Sequence, residues 1–291
     1  MLRLSTATKI KIAGGMYRVI RAFRRLSGRS SDTVVCRRQG VLWSLDLRDG
    51  IPLAIYAFGS FERGTARALR QLLPAGGVAI DIGANVGAHA LPMARRVGAG
   101  GRVIAVEPTA SAFAALRRNL ELNPDLASLV TAYQAAVLAA NEIPPSELYS
   151  SWPVTGVTQN GHAVHHGVRQ STRGAFGITL DDLVARDTPS RVDVVKLDID
   201  GGEVAALRGG LKTLRDLRPA LVLELCPYAL EERGASLAAL LQLLDESRYQ
   251  LLDERSRQTL GTDAHALARA IPPGGSINVL ALPRERTRRQ V

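Results

Sequence analysis

The chain has 291 residues, 46% of them apolar, and a formal net charge of +10. That is enough apolar material for a packed core, which excludes an intrinsically disordered chain, and no apolar run reaches the roughly 20 residues that a membrane-spanning helix needs. The charge sits at the ends: residues 1–40 hold ten Lys or Arg against one Asp and residues 284–291 hold four Arg against one Glu, which leaves 41–283 with 23 basic and 25 acidic residues and argues against nucleic acid as partner of the folded body.

In chain order, residues 12–26 predict an amphipathic helix. Ile12, Met16, Val19, Ile20, Phe23 and Leu26 fall on one face, with Lys11, Arg18, Arg21, Arg24 and Arg25 opposite. Gly14 and Gly15 weaken its first turn. Its apolar face either docks on the body or rests on an anionic membrane surface; a third reading is a flexible arm that touches nucleic acid. "VLWSLDLRD" (41–49) alternates as a strand and ends in an Asp49-Gly50 turn. A mixed segment leads to a helix near 64–73, closed by Pro74 and Gly76-Gly77.

From Val78 the chain alternates strand and helix. Strands are expected at 78–82, 102–107, 130–135, 192–199, 220–225, 248–253 and 276–282, and helices near 87–97, 110–122, 179–186, 202–215 and 235–246. Continuous apolar strands between amphipathic helices predict a parallel sheet covered on both faces, a Rossmann-like α/β fold. The expected organisation is a basic helical arm (1–37), a strand/helix subdomain (38–77), a catalytic domain (78–283) and an Arg-rich tail (284–291). The irregular stretch 138–177 is too long for a simple connection, so it reads as a lid, a substrate loop or an added hairpin. Its His162, His165 and His166 have no Cys or acid at ligand spacing, so a solvated or substrate-facing loop is expected and no metal site. Cys36 and Cys226 stand outside any CxxC spacing and no secretory signal is visible, which points to free thiols in a cytoplasmic protein.

The first strand–turn–helix, "VAIDIGANVGAHAL" (78–91), carries the main clue to function. Ligands in open α/β sheets sit at the carboxyl ends of the strands. A dinucleotide turn needs G-x-G-x-x-G, but Asn85 stands two residues after Gly83, and Asp81 would repel a phosphate. A nucleoside cofactor without phosphates suits this turn, and S-adenosylmethionine has that character. Glu107, at the end of the second strand and 24 residues after Gly83, can accept hydrogen bonds from ribose hydroxyls.

Several ordered motifs resemble the FkbM family of S-adenosylmethionine-dependent methyltransferases, over most of 38–283. They are "WSLDLRDGIPLAIYAFGSFE", "DIGANVG", "VIAVEPTASAFAALRRNLELN", "TLDDL", "VVKLDIDGGEVAALRGG" and "LVLEL". The resemblance implies a class I methyltransferase fold: a seven-stranded, mostly parallel sheet whose last strand is antiparallel. It also implies methyl transfer, most often to a hydroxyl oxygen of a sugar, glycan or polyketide. The family usually has K-(I/L)-D-(V/I)-E-G-x-E, and here Asp200 replaces the first Glu and Gly202 occupies the variable position.

Methyl transfer needs the acceptor held in line, and an alcohol acceptor benefits from a base. Lys196, Asp198 and Asp200 are the catalytic candidates, with Asp198 favoured by its place at a strand end. For Lys196 the alternative is pairing with a neighbouring acid, and for Glu203 it is capping of the next helix. The expected cofactor contacts are Glu62, Asp81, Gly83, Ala84, Asn85, Gly87, His89, Glu107, Pro108 and Asp198. His89 either faces the cofactor or lies on a helix surface, and Glu62 either reaches the cofactor's amino group or is an ordinary helix-start acid. The partners expected are a small-molecule or glycan acceptor and an anionic membrane surface at the N-terminal helix. The competing functions are a nicotinamide-dependent oxidoreductase and a non-enzymatic basic binding protein.

Overall fold

The computed structural model describes residues 5–155, 161–164, 166–187 and 189–287. Helix α1 (Thr6–Leu26) precedes an antiparallel hairpin, β1 (Thr33–Arg38) and β2 (Val41–Asp46), and helices α2 (Gly50–Phe58) and α3 (Arg63–Leu72). The alternating part begins with β3 (Val78–Ile82), α4 (Ala90–Val97), β4 (Arg102–Val106), α5 (Ala110–Glu121), α6 (Pro124–Ala127) and β5 (Val130–Tyr133). Short strands β6 (Ala135–Val137), β7 (Glu147–Ser151), β8 (Val168–Ser171) and β9 (Phe176–Ile178) follow, then α7 (Leu180–Asp187), β10 (Val194–Leu197), α8 (Glu203–Arg208) and α9 (Leu211–Asp216). The chain closes with β11 (Ala220–Leu225), α10 (Pro227–Glu232), α11 (Leu237–Glu246), β12 (Tyr249–Asp253), α12 (Ala264–Ala270), β13 (Ile277–Pro283) and α13 (Arg284–Thr287).

Seven strands form the main sheet in the order β12-β13-β11-β10-β3-β4-β5. β11, β10, β3, β4 and β5 run parallel, and β13 is antiparallel to both its neighbours. This is the class I methyltransferase arrangement expected from the sequence. The order reverses between β3 and β10, where a crevice opens at the strands' carboxyl ends. Apolar side chains on both faces make two cores, one around Trp43, Leu53, Leu91 and Leu116, the other around Ile82, Leu197, Leu207 and Leu240.

The N-terminal helix differs from expectation. It begins at Thr6, capped by the Ser5 hydroxyl, and carries Gly14 and Gly15 in its interior. Gly14 is needed there, because a Cβ would stand 2.9 Å from the Val154 carbonyl oxygen. The docked face is only part of the expected apolar stripe. Ala13, Met16, Tyr17 and Ile20 pack on the body, while Ile12, Val19, Phe23 and Leu26 are 58%, 56%, 67% and 85% exposed. The cause is a polar anchor: the Tyr17 hydroxyl donates to Asp32 (2.9 Å) and Arg21 pairs with the same carboxylate, rolling the helix toward its basic side.

Other differences have local causes. The helix expected over 202–215 breaks into α8 and α9 at Gly209-Gly210, where a Cβ would meet the Leu138 carbonyl oxygen at 2.3 Å and Leu180 at 2.6 Å. Asp181 then restarts the helix by accepting from the Lys212 and Thr213 backbone N–H groups. The strand expected over 130–135 ends at Tyr133, and Ala135–Val137 pairs with β9 outside the main sheet. The irregular stretch contains a hairpin, β7–β8. β1, α10 and α12 had no expectation in the sequence. The first half of the expected tail is helical in α13, tied by Arg218–Glu285 (2.7 Å) and Arg284–Asp245; residues 288–291 lie outside the described residues.

The N-terminal hairpin shares the first core with the alternating part and is fastened to it by two asparagines of α5 and its end. Asn119 accepts from the Ser44 N–H (2.8 Å) and donates to the Val86 carbonyl (2.9 Å). Asn123 accepts from the Leu42 N–H and donates to the Leu42 carbonyl. Removing the Asn119 amide strands a donor and an acceptor inside the protein. Asn119→Ala is expected to lower unfolding stability by about 2–4 kcal/mol in a denaturant titration; a loss below about 0.5 kcal/mol would show that water replaces both bonds.

Candidate active site

The cleft at the order reversal is built from the loops after β3, β4 and β10. Gly83 has φ +82°, a conformation open to glycine, and a Cβ would stand 2.0 Å from the Asp198 carbonyl oxygen. Backbone N–H groups of Gly83 and Ala84 donate to the Val106 carbonyl (2.9 and 3.0 Å), binding the turn to β4. Asn85 has φ +48°, and its side-chain oxygen accepts from the Val86 N–H (2.9 Å). An asparagine tolerates that backbone where most residues do not, so the turn keeps its shape without the second glycine. Gly87 serves packing: a Cβ there would stand 2.3 Å from Leu91 and 2.9 Å from Leu116, so its absence lets the turn settle on α5.

The cleft encloses about 810 Å³ of empty space, part of it open to solvent. Of the residues expected there, Gly83, Asn85, Glu107, Pro108, Asp198 and Asp200 line it. Ala84 and Gly87 stand behind the lining, where they hold the turn to β4 and α5. Glu107 is 3% exposed and accepts from the Asn85 N–H (3.0 Å), the Thr109 N–H (2.9 Å) and the Thr109 hydroxyl (2.5 Å). Burial pushes its carboxyl up, and these three donors hold it back. The far wall comes from the hairpin, with Tyr149, Ser150 and Trp152. Asn85 reaches across to Ser150 with two 3.3 Å contacts, and the Thr109 and Ser150 hydroxyls are 3.1 Å apart. Arg233, from the end of α10, is the one cation on the cleft's lining among the described residues. None of these wall residues was legible in the sequence, since the hairpin has no clear period.

Beneath the cleft lies a buried charge cluster. Lys196 on β10 and Asp81 on β3 are register partners across parallel strands. The Lys196 ammonium, 3% exposed, is 3.2 Å from Asp198 and 3.6 Å from Asp81. Burial opposes its charge, but Asp198, Asp81 and Glu62 together outweigh burial and push its pKa up. Asp81 is fully buried and does not line the cleft; burial raises its carboxyl and Lys196 opposes the rise. Asp81, expected among the cofactor contacts, therefore faces Lys196 behind the cleft lining. Asp198 is the partly open member, its side chain 28% exposed.

More acids surround this group. Glu62, at the head of α3, accepts from Asn278 (2.9 Å) and Thr65 (3.2 Å), and burial with the nearby Asp198 pushes its carboxyl up to about 7. Glu203, 1% exposed, accepts from the Ile199 N–H (3.1 Å), closing the loop after β10; burial pushes it up to about 7. Burial and Asp198 raise Asp200 and, on β11, Glu224 far above the usual range. Glu224 was not singled out in the sequence, although "LVLEL" holds it at a strand end.

His89 faces elsewhere. It is 4% exposed and lines a second cavity between α3 and α4, on the other side of the turn, with its ring 6.0 Å from that of Phe61. In the hairpin region His162 bonds Glu232 (2.8 Å) and packs edge-on to Tyr149, while His165 lies outside the described residues. Among the described residues no group of three His, Cys, Asp or Glu is placed to hold a metal ion.

A family model described as the methyltransferase FkbM domain matches residues 81–251, more than half of the chain. The chain belongs to the FkbM methyltransferase family. No curated protein matches its sequence. Solved structures similar to this FkbM methyltransferase include an FkbM methyltransferase from Methylobacillus flagellatus KT, at 16% identity and TM-score 0.43, covering 80% of this chain and 59% of that one. A precorrin-6y C5,15-methyltransferase from Geobacter metallireducens GS-15 matches at 13% identity and TM-score 0.41, covering 78% and 94%. TYW2 of M. jannaschii in complex with AdoMet matches at 15% identity and TM-score 0.40, covering 86% and 84%. The protein is an S-adenosylmethionine-dependent methyltransferase, and an acid-lined cleft fits a cofactor that brings a sulfonium and an ammonium but no phosphate.

Two outcomes are expected. Gly83→Ala forces β3 and β10 apart at the cleft floor, so its affinity for S-adenosylmethionine in calorimetry falls at least roughly tenfold; an unchanged affinity would remove the turn from the site. Glu62 and Glu203 titrate near 7 when folded but near about 4.3 when unfolded. The folded state then binds more protons between those values, so stability falls as pH rises from about 4.5 through about 7. Thermal melts of the cofactor-free protein across that window check the sign, and Glu203→Gln flattens the slope.

Proposed function

We propose that this methyltransferase methylates a hydroxyl oxygen on a small-molecule or glycan acceptor. The observation that carries the reading is Asp198, a carboxylate fixed by a buried ammonium at 3.2 Å and still facing the cleft. Lys196 engages its Oδ2, which leaves Oδ1 without a protein partner among the described residues to accept from an acceptor hydroxyl. The hairpin supplies two aromatic rings and a hydroxyl, Tyr149, Trp152 and Ser150, a surface suited to the C–H face and polar edge of a sugar.

The cofactor supplies an activated methyl group on a positive sulfur. Glu107, Pro108 and the Gly83–Asn85 turn would hold its nucleoside, the acidic floor would favour its positive charge, and Arg233 would meet the carboxylate of its amino-acid end, while Glu62, like Asp81, stands behind the cleft lining. Asp198 would orient the acceptor hydroxyl and accept its proton as the oxygen takes the methyl group and the sulfur leaves as a neutral thioether. Lys196 acts through Asp198 as a positioning residue. Asp200, on a φ +49° turn, shapes the cleft wall. Asp198→Asn is expected to lower turnover by about 10²–10⁴-fold with S-adenosylmethionine affinity nearly intact. Wild-type turnover would move catalysis to another residue, and lost cofactor binding would make Asp198 a cofactor ligand.

The exposed stripe of α1 supports the membrane contact expected at this helix. Ile12, Val19, Phe23 and Leu26 point to solvent, with exposed Lys11, Arg18 and Arg25 alongside, the pattern of a helix lying in an anionic bilayer surface. No helix of the described residues is long and apolar enough to cross a membrane. Sedimentation with phosphatidylglycerol-containing vesicles is expected for the protein and lost on Phe23→Glu, and its absence would end this reading.

A further inference from the structure

The second cavity lies behind the glycine turn, with α3 and α4 as walls and the β1–β2 turn beside it, and encloses about 1400 Å³ of empty space open to solvent. Five arginines line it: Arg63, Arg67 and Arg70 from α3, and Arg95 and Arg96 from the last turn of α4. Among the described residues no carboxylate lines the cavity, and none of the five arginines is paired with an acid.

Three of these guanidiniums are set in place by the protein. Arg63 donates to the Phe58 carbonyl (3.1 Å) and lies over the Phe58 ring. Arg96 donates to the carbonyls of Arg70 (3.1 Å) and Leu73 (2.9 Å). Arg95 lies against Gly40, where a Cβ would stand 2.5 Å from its guanidinium carbon, so the hairpin turn leaves room for it. The lining also holds an unpartnered polar group: His89 is 4% exposed and its Nε2 has no hydrogen-bond partner. Burial, and Lys196 behind it, keep the ring neutral.

Unpaired like charges around one groove repel each other and focus a positive potential in it, which an anion relieves. Arg63 and Arg70 are seven residues apart on one helix face, about 10 Å, longer than a single phosphate spans. Guanidinium forks match phosphate oxygens in geometry as well as charge. We propose that this cavity is a second ligand site, which binds a diphosphate group along the row Arg63, Arg67 and Arg70 and through Arg95, with His89 Nε2 completing it. The site is separate from the cofactor cleft and does not rest on the acceptor assigned above.

The test is calorimetry on the full chain with inorganic pyrophosphate, inorganic phosphate and sulfate, and sedimentation with phosphatidylcholine vesicles with and without farnesyl diphosphate. Pyrophosphate is expected to bind at least roughly tenfold tighter than sulfate, and the vesicle arm tells a membrane-borne diphosphate from a soluble one. The exposed pair Arg67→Gln/Arg70→Gln is expected to weaken diphosphate binding at least roughly tenfold, with thermal midpoint and S-adenosylmethionine affinity unchanged. Equal affinity for sulfate and pyrophosphate, binding that survives the double substitution, or no diphosphate binding in either arm would overturn the proposal.

Discussion

The buried ammonium of Lys196 is the interaction on which the site depends. It is the positive charge at the centre of a group of carboxylates, Asp81, Asp198 and Glu62, at a place where water cannot screen them. An unpaired carboxylate at such depth would cost several kcal/mol or take up a proton. One cation cannot answer them all. The surplus of acid, spread over Glu62, Glu203, Asp200 and Glu224, leaves the cofactor-free cleft short of positive charge. A ligand with a cationic sulfur and amine would meet that shortfall, the part proposed above for the cofactor.

The sheet brings this group together. Asp81 and Lys196 are far apart in sequence and become neighbours only because β3 and β10 pair in register. Asp198 follows one residue after β10 ends, which turns it from the sheet's interior into the crevice. Gly83 allows the two strand ends to close on each other, since only a residue without a side chain fits against the Asp198 carbonyl. The glycine turn is thus as much a packing device between strands as a cradle for a ligand.

Much of this was legible in the sequence. Continuous apolar runs mark the buried parallel strands, and acids at their carboxyl ends mark Glu107 and Asp198. What the sequence concealed is direction. Asp81 and His89 sit beside the right glycines, but strand register aims one at Lys196 and burial aims the other at a cavity behind the turn. The roll of α1 depended on one Tyr17–Asp32 bond, outside any helical period. The hairpin wall had no periodic signal at all. Asn119 and Asn123 did leave one, two amides four residues apart at and just past the end of α5, in line with its buried Ala112 and Leu116.

The β7–β8 hairpin meets the cofactor turn through few polar contacts: Asn85 to Ser150, at 3.3 Å, and the Thr109 and Ser150 hydroxyls at 3.1 Å. The far wall of the cleft is therefore joined to the cofactor half at a small number of side-chain atoms and contributes no strand to the main sheet. Such a joint makes the two halves separable in evolution. Residues along β7 and β8 can change to suit a new acceptor while the turn, Glu107 and the Lys196 cluster keep their geometry, so one methyl-donating chassis can serve many acceptors.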